Sequence, residues 1–147
     1  MYKRLSEREE WVAQQIVDIA VNIHKQLGPG LLESIYAKCF YHELGNRQII
    51  FEKESSVPII YNDLKIDGGL RLDCLVEGLV IVEFKAQENY HPVWEAQLMS
   101  YLKLNKKAIG FLNKFPCASN ERWPKKNNNI NNLATSCLSA FVVQLAT

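Results

Sequence analysis

Asp73, Glu83 and Lys85 are the residues of this chain whose types and spacing could do chemistry. They interrupt LRLDCLVEGLVIVEFK, Leu70 to Lys85, a stretch otherwise apolar enough for a core. Burying an ionised group costs free energy unless it is paired or used. Two carboxylates and an amine on one patch suit a hard divalent cation, which takes oxygen ligands from carboxylates, water and substrate phosphate. Such an ion polarises a phosphoryl group, while a nearby lysine orients water or offsets developing charge. The plain alternative is a buried ion pair between Lys85 and one acid, which structural proteins also use.

Bringing the three together demands a particular hairpin. The stretch reads as two strands around Glu77-Gly78. Side chains alternate faces along a strand, so Leu70, Leu72, Cys74 and Val76 are expected on one face and Arg71, Asp73 and Leu75 on the other. In the second strand Glu83 and Lys85 oppose Val80, Val82, Phe84 and Ala86. A two-residue turn would set Asp73 across from Val82, on the wrong face. A three-residue loop or a bulge sets it across from Glu83 and is the expectation, with Gly78 supplying a backbone angle other residues tolerate poorly.

Asp73 followed by Glu83-Phe84-Lys85 resembles the D…(D/E)-x-K signature of the PD-(D/E)XK nuclease superfamily, with Leu72 where the name has proline. Gly30-Leu31-Leu32-Glu33-Ser34-Ile35-Tyr36 matches GxxExxY, the motif that names a small bacterial family within it. His91 to Leu104, HPVWEAQLMSYLKL, resembles that family's third block, with its Q-x-x-x-Y pair at Gln97 and Tyr101. With its three ordered blocks, the resemblance covers roughly Ile16 to Asn113.

The resemblance implies an α/β fold with a restriction-endonuclease-like core, a mixed central sheet flanked by helices. It implies Mg²⁺-dependent hydrolysis of nucleic-acid phosphodiester bonds, DNA before RNA, with Mn²⁺ as a substitute ion. Asp73, Glu83 and Glu33 become the expected metal ligands, Lys85 the residue that manages the attacking water, and Gln97 its support. Tyr101, Tyr36 and Arg71 are expected at the substrate. The alternative is an inactive module of the same fold that binds nucleic acid or a protein partner, because fold alone does not fix function. A homodimer is compatible with either.

The elements that must position these residues are legible in part. Trp11 to Leu27 reads as a helix, with Val12, Ile16, Ile19, Ala20, Ile23 and Leu27 at spacings of three and four and a capping box at Ser6 and Glu9. Gly28-Pro29-Gly30 is expected to end it and open a second helix, running to about Leu44, with proline in the first turn. Glu33 then lies near a helix start, where the dipole alone favours an acid by ~0.3–1 kcal/mol. Gln48 to Lys65 reads as an outer strand bent at Pro58, with a turn at Asn62-Asp63. Gly68-Gly69 supplies either flexibility or room for a nucleic-acid backbone. A helix is expected from about Pro92 to Leu104, with Gln97 and Tyr101 on one side. A partly exposed glutamine and an amphipathic core tyrosine account for that pair equally well. Glu95 reads as a helix-start acid, and His91 as a loop residue or a phosphate contact; His24 and His42 receive no role. Ala108 to Leu112 reads as a buried strand.

At 147 residues the chain suits one domain, with a core over about 11–113 and a divergent, partly flexible segment over 114–147. Within that segment FPCASNERWPKKNNNINN reads as a loop, and Leu133 to Leu145 as a helix or strand closing a sheet edge. Apolar residues make up 48% and charged residues 22%, ordinary values for a globular protein. No apolar run approaches the ~20 residues of a membrane span, and the N-terminus is no secretory signal, so a cytoplasmic protein is expected. Cys39, Cys74, Cys117 and Cys137 are too scattered for a zinc, iron–sulfur or disulfide framework. The net charge of +1 hides an asymmetry: 10 basic and 15 acidic residues up to Leu102, then seven basic and one acidic from Lys103 to Lys126. That basic tract either steers a polyanion or is a solvated loop, with Trp123 as a base-stacking platform or an anchor.

Overall fold

The structure, a computed structural model, describes residues 4–87, 91–115 and 139–144. Helix α1 (Glu7–Leu27) starts with the expected capping box, Ser6 and Glu9 each bonding the other's backbone amide. It stops at Gly28, whose φ of 68° releases the chain while its amide still donates to the His24 carbonyl. Helix α2 (Glu33–Asn46) begins later than Gly28-Pro29-Gly30 suggested, and Pro29 lies outside it. The reason is Tyr36, whose hydroxyl donates to the Gly28 carbonyl at 2.7 Å and accepts from the Leu31 amide at 3.1 Å, tying the preceding segment into a loop.

Strands β1 (Phe51–Tyr61) and β2 (Leu64–Val76) form a long antiparallel hairpin. Its register shifts between Val57 and Ile59, so Pro58 sits at an irregularity on a sheet edge, as a residue without an amide proton must. Asp67, Gly68 and Gly69 are the extra residues across from Pro58, and Gly69 leaves room for the Ile59 side chain. Beyond this shift Ile59, Tyr61, Leu64 and Ile66 share one face, and the last three of these side chains are exposed.

Strand β3 (Val80–Lys85) returns antiparallel to β2 through the three-residue loop Glu77-Gly78-Leu79, with Glu77 and Gly78 both at positive φ. Arg8 of α1 clasps Glu77 with two guanidinium bonds and fixes this loop against the helix layer. Helix α3 (Pro92–Asn105) then carries the chain across the sheet to β4 (Ile109–Lys114), parallel to β3. Strand β5 (Ser139–Gln144) pairs antiparallel with β4, so the described part of Leu133 to Leu145 is a strand, and the rest lies outside the described residues. The mixed sheet runs β1-β2-β3-β4-β5. Cys117, Cys137, Trp123 and the Asn- and Lys-rich tract lie outside the described residues.

Two cores cover the two faces. On one, Val12, Ile16, Ile19 and Ile23 of α1 and Tyr36, Phe40 and Leu44 of α2 pack on Cys74, Val76, Val82, Phe84 and Phe111. On the other, Leu98, Tyr101 and Leu102 of α3 pack on Leu72, Ile81 and Leu112. Gly110 lets α3 come close, since a Cβ there would stand 2.9 Å from Leu98 Cδ1. Among the described residues no helix is long and apolar enough to cross a membrane.

One expectation about β2 fails. Leu70 and Leu72 pack with α3, whereas Cys74 and Val76 pack with α1 and α2, so these four do not share a face. The alternation breaks at Asp73. Across from it Glu54 of β1 has φ of 55°, and Phe51 and Val57 likewise fall into different cores. Both strands of the hairpin turn over together at this step.

Candidate active site

Asp73 stands at the break in β2, outside both neighbouring ladders. Pairing with β3 ends at Cys74↔Val82, and pairing with β1 passes from Lys53↔Cys74 to Ser55↔Leu72. Its backbone groups also bond side chains. The Asp73 amide donates to Glu83 Oε1 at 3.2 Å, and the Asp73 carbonyl accepts from the Tyr41 hydroxyl at 3.0 Å. In return Asp73 Oδ2 accepts from the Phe84 amide at 2.9 Å. Each acid thus bonds the backbone of the other's strand, and the expected juxtaposition of Asp73 with Glu83 is present.

Electrostatics mark the pair. Glu83 is only 5% exposed, and burial first, then the charge of Asp73, raise its carboxyl far above the usual carboxylate range, to about 8. Lys85 works in the opposite direction, which places its charge within reach of Glu83. Among the described residues no ion pair joins Lys85 to a carboxylate; the four pairs present are Arg8–Glu77, Arg47–Asp18, Lys65–Asp67 and Arg71–Glu54. The simple buried ion pair is therefore not the arrangement that this sheet holds. Two adjoining carboxylates, each with an oxygen left over from backbone bonding, fit a hard divalent cation completed by water and phosphate oxygens.

The remaining expected residues divide. Glu33 was expected as a third metal ligand; its Oε2 instead accepts from the Ala86 amide at 3.2 Å, just past the end of β3. As the first residue of α2 its side chain reaches the strand terminus, where Ala86 has no ladder partner, and not the acid pair. Among the described residues no group of three His, Cys, Asp or Glu is gathered to hold a metal. Gln97 and Tyr101 do share one side of α3: Gln97 Nε2 donates to the Tyr101 hydroxyl at 2.7 Å. Burial, and then the Glu83 charge, raise the Tyr101 phenol, so this pair faces the acids. Tyr36, expected at the substrate, is fully buried and stacked on Phe115 with centroids 4.1 Å apart, and its hydroxyl is spent on the Gly28–Leu31 loop. Arg71 is exposed and pairs with Glu54 at 2.7 Å. His91 caps α3, its Nδ1 accepting from the Val93 amide.

Two residues near the acids escaped sequence reasoning. Lys114 lies across from Lys85 in the parallel β3–β4 register, on the same face, and is nearly buried. Reading the strand only to Leu112 left it out. Tyr41 carries no motif spacing, and nothing in the sequence announces a hydroxyl aimed at a strand carbonyl.

Comparison with known protein families matches residues 10–126 to the PD-(D/E)XK nuclease superfamily. The chain belongs to that superfamily. The match extends past Asn113, where the resemblance in the sequence had stopped, and it takes in the acid pair, all of α2 and α3, and α1 from its fourth residue. No curated protein and no solved structure matches the chain. PD-(D/E)XK proteins are usually hydrolytic nucleases that use divalent metal ions, and the mixed sheet between two helix layers is their core.

Proposed function

We propose that this PD-(D/E)XK protein hydrolyses phosphodiester bonds of DNA with Mg²⁺, Mn²⁺ serving as a substitute, and that it belongs to the GxxExxY branch. The observation that carries the reading is the interlocked Asp73–Glu83 pair beside Lys85. A structural sheet gains nothing from holding a buried carboxylate against another acid, and such a like-charge pair is a recurrent mark of a functional site.

Asp73 and Glu83 would hold the cation, which when bound supplies Lewis acidity toward a phosphate oxygen and a lowered pKa for attacking water. Lys85, at the end of β3, orients that water and offsets charge on the phosphoryl oxygens in the transition state. The Gln97–Tyr101 pair lines the α3 side of the same face and fixes the position of the bound phosphate. Glu33 acts one step away, holding the Ala86 amide and with it the end of β3 that carries Lys85. Arg71, two residues before Asp73 and open to solvent, contributes a phosphate contact along the backbone of the substrate.

The test incubates the purified chain with labelled linear, circular, single-stranded and duplex DNA and with RNA, in Mg²⁺, Mn²⁺ or EDTA. Lys85→Ala and Glu83→Ala are run beside it. Metal-dependent DNA cleavage lost in both variants is the expected result. Cleavage that survives in either variant removes these residues from the mechanism. DNA binding that persists in EDTA, with no cleavage under any metal, favours the inactive binding module.

A further inference from the structure

We infer that Tyr41 is a positioning residue that fixes Asp73 for cation binding; the inference rests on the proposed role of Asp73 as a metal ligand. Three observations converge on it. Asp73 lies at the step where the register of β2 with β1 and with β3 breaks. There the Tyr41 hydroxyl donates to the Asp73 carbonyl at 3.0 Å, a side-chain bond reaching the backbone of the acid from another element.

The tyrosine is itself held in place. Its ring stacks on Phe51 of β1 at 5.5 Å and meets Phe84 of β3 edge-on at 5.9 Å. Phe84 is the same residue whose amide donates to Asp73 Oδ2. A closed circuit results: ring against Phe84, Phe84 amide to the Asp73 carboxylate, and Asp73 carbonyl back to the ring's hydroxyl. Rotation of the Asp73 peptide breaks the hydroxyl bond and also displaces the carboxylate from the Phe84 amide.

Helical spacing adds the third observation. Glu33, Ala37 and Tyr41 follow at intervals of four along α2, a stripe facing the sheet. One end of the stripe holds the Ala86 amide beyond β3, and the other holds the Asp73 carbonyl in β2. Helix α2 therefore grips both strands of the acid pair from one side, with Tyr41 acting on the acid that sits at the break in register.

Tyr41→Phe keeps the ring and removes only the hydroxyl, so the aromatic packing and the fold survive. Mn²⁺ alone is titrated calorimetrically into the full-length wild type and the variant, with Asp73→Ala as the reference for lost binding. Protection of the Phe84 amide from hydrogen exchange is followed in the metal-free proteins. Loss of an outer contact to a metal ligand typically weakens affinity by ~10–100-fold. The expectation is a Mn²⁺ Kd raised about tenfold, at the low end of that range, and faster Phe84 exchange. A Kd within about threefold of wild type, or Phe84 exchange that quickens no more than exchange at the Val80 and Ile109 amides, overturns the inference, because a hydroxyl that serves only the fold lowers protection across the core alike and leaves the Kd in place. Should the wild type bind no Mn²⁺, the hydrolytic reading falls. The Phe84 amide then decides for or against Tyr41 alone.

Discussion

Replacing Glu83 by glutamine separates what the acid pair does for stability from what it does for chemistry. Glutamine keeps the shape and an oxygen to accept the Asp73 amide, but has no proton to gain or lose. In the metal-free fold the Glu83 carboxyl is raised from 4.5 to about 8, first by burial and then by Asp73. A carboxyl whose folded value is raised binds its proton more tightly folded than unfolded, so stability falls as pH rises from about 4.5 to about 8. Relative to a neutral isostere, that linkage costs the wild type on the order of 3 kcal/mol at pH 7 and about 1 kcal/mol at pH 5. For a domain of this size, each kcal/mol moves Tm by roughly 2–4 °C. Glu83→Gln should therefore melt roughly 6–12 °C above wild type at pH 7, roughly 2–4 °C above it at pH 5, and cleave no DNA. Circular-dichroism melts in EDTA across this pH range provide the measurement. A variant no more stable than wild type at pH 7, or a gain that does not grow with pH, would refute the assignment of Glu83 as a buried, strained acid.

Two further outcomes test the framework around the site. Tyr36→Phe leaves the Gly28 carbonyl and the Leu31 amide without their partner, and should lower stability by ~1–3 kcal/mol in urea denaturation while KM for DNA stays unchanged. A raised KM with unaltered stability would return Tyr36 to the substrate. Gly110→Ala places a methyl 2.9 Å from Leu98 Cδ1 and 3.3 Å from the Ile81 carbonyl oxygen, which is backbone and cannot move aside. The overpacking should cost about 1–3 kcal/mol by the same assay, and a neutral result would mean that α3 can shift on β4.

What the sequence disclosed followed from local rules acting where they are strong. The need to set Asp73 across from Glu83 correctly demanded a three-residue turn, because register and face are tied by the period of two. Pro58 pointed to an edge and a bend because it lacks an amide. The same period of two misled at Asp73, where it presumes an unbroken strand. Glu54 adopts a left-handed angle with no glycine to advertise it, and the turnover of both strands is imposed by the two cores pulling at neighbouring residues. Pro29 misled in the other direction, since its fitness for a helix start is overruled by the Tyr36 hydroxyl holding a loop there. Contacts made between elements distant in sequence, such as Tyr41 to Asp73 or Lys114 beside Lys85, leave no periodic trace to read.

The turnover of β2 at Asp73 makes that residue a hinge post shared by two rooms. Leu72 on one side answers to the α3 layer and Cys74 on the other to the α1–α2 layer, so a change of packing in either layer arrives at the acid through a single peptide unit. Val80 and Ile109, equally buried at the far end of the sheet, have no such route. Enlarging or trimming side chains around Val80 therefore alters stability but leaves the aim of the carboxylate alone. Around Leu72 and Cys74 the same trimming re-aims the carboxylate, so the freedom to vary within this interior follows distance from one turn of one strand more closely than depth from the surface.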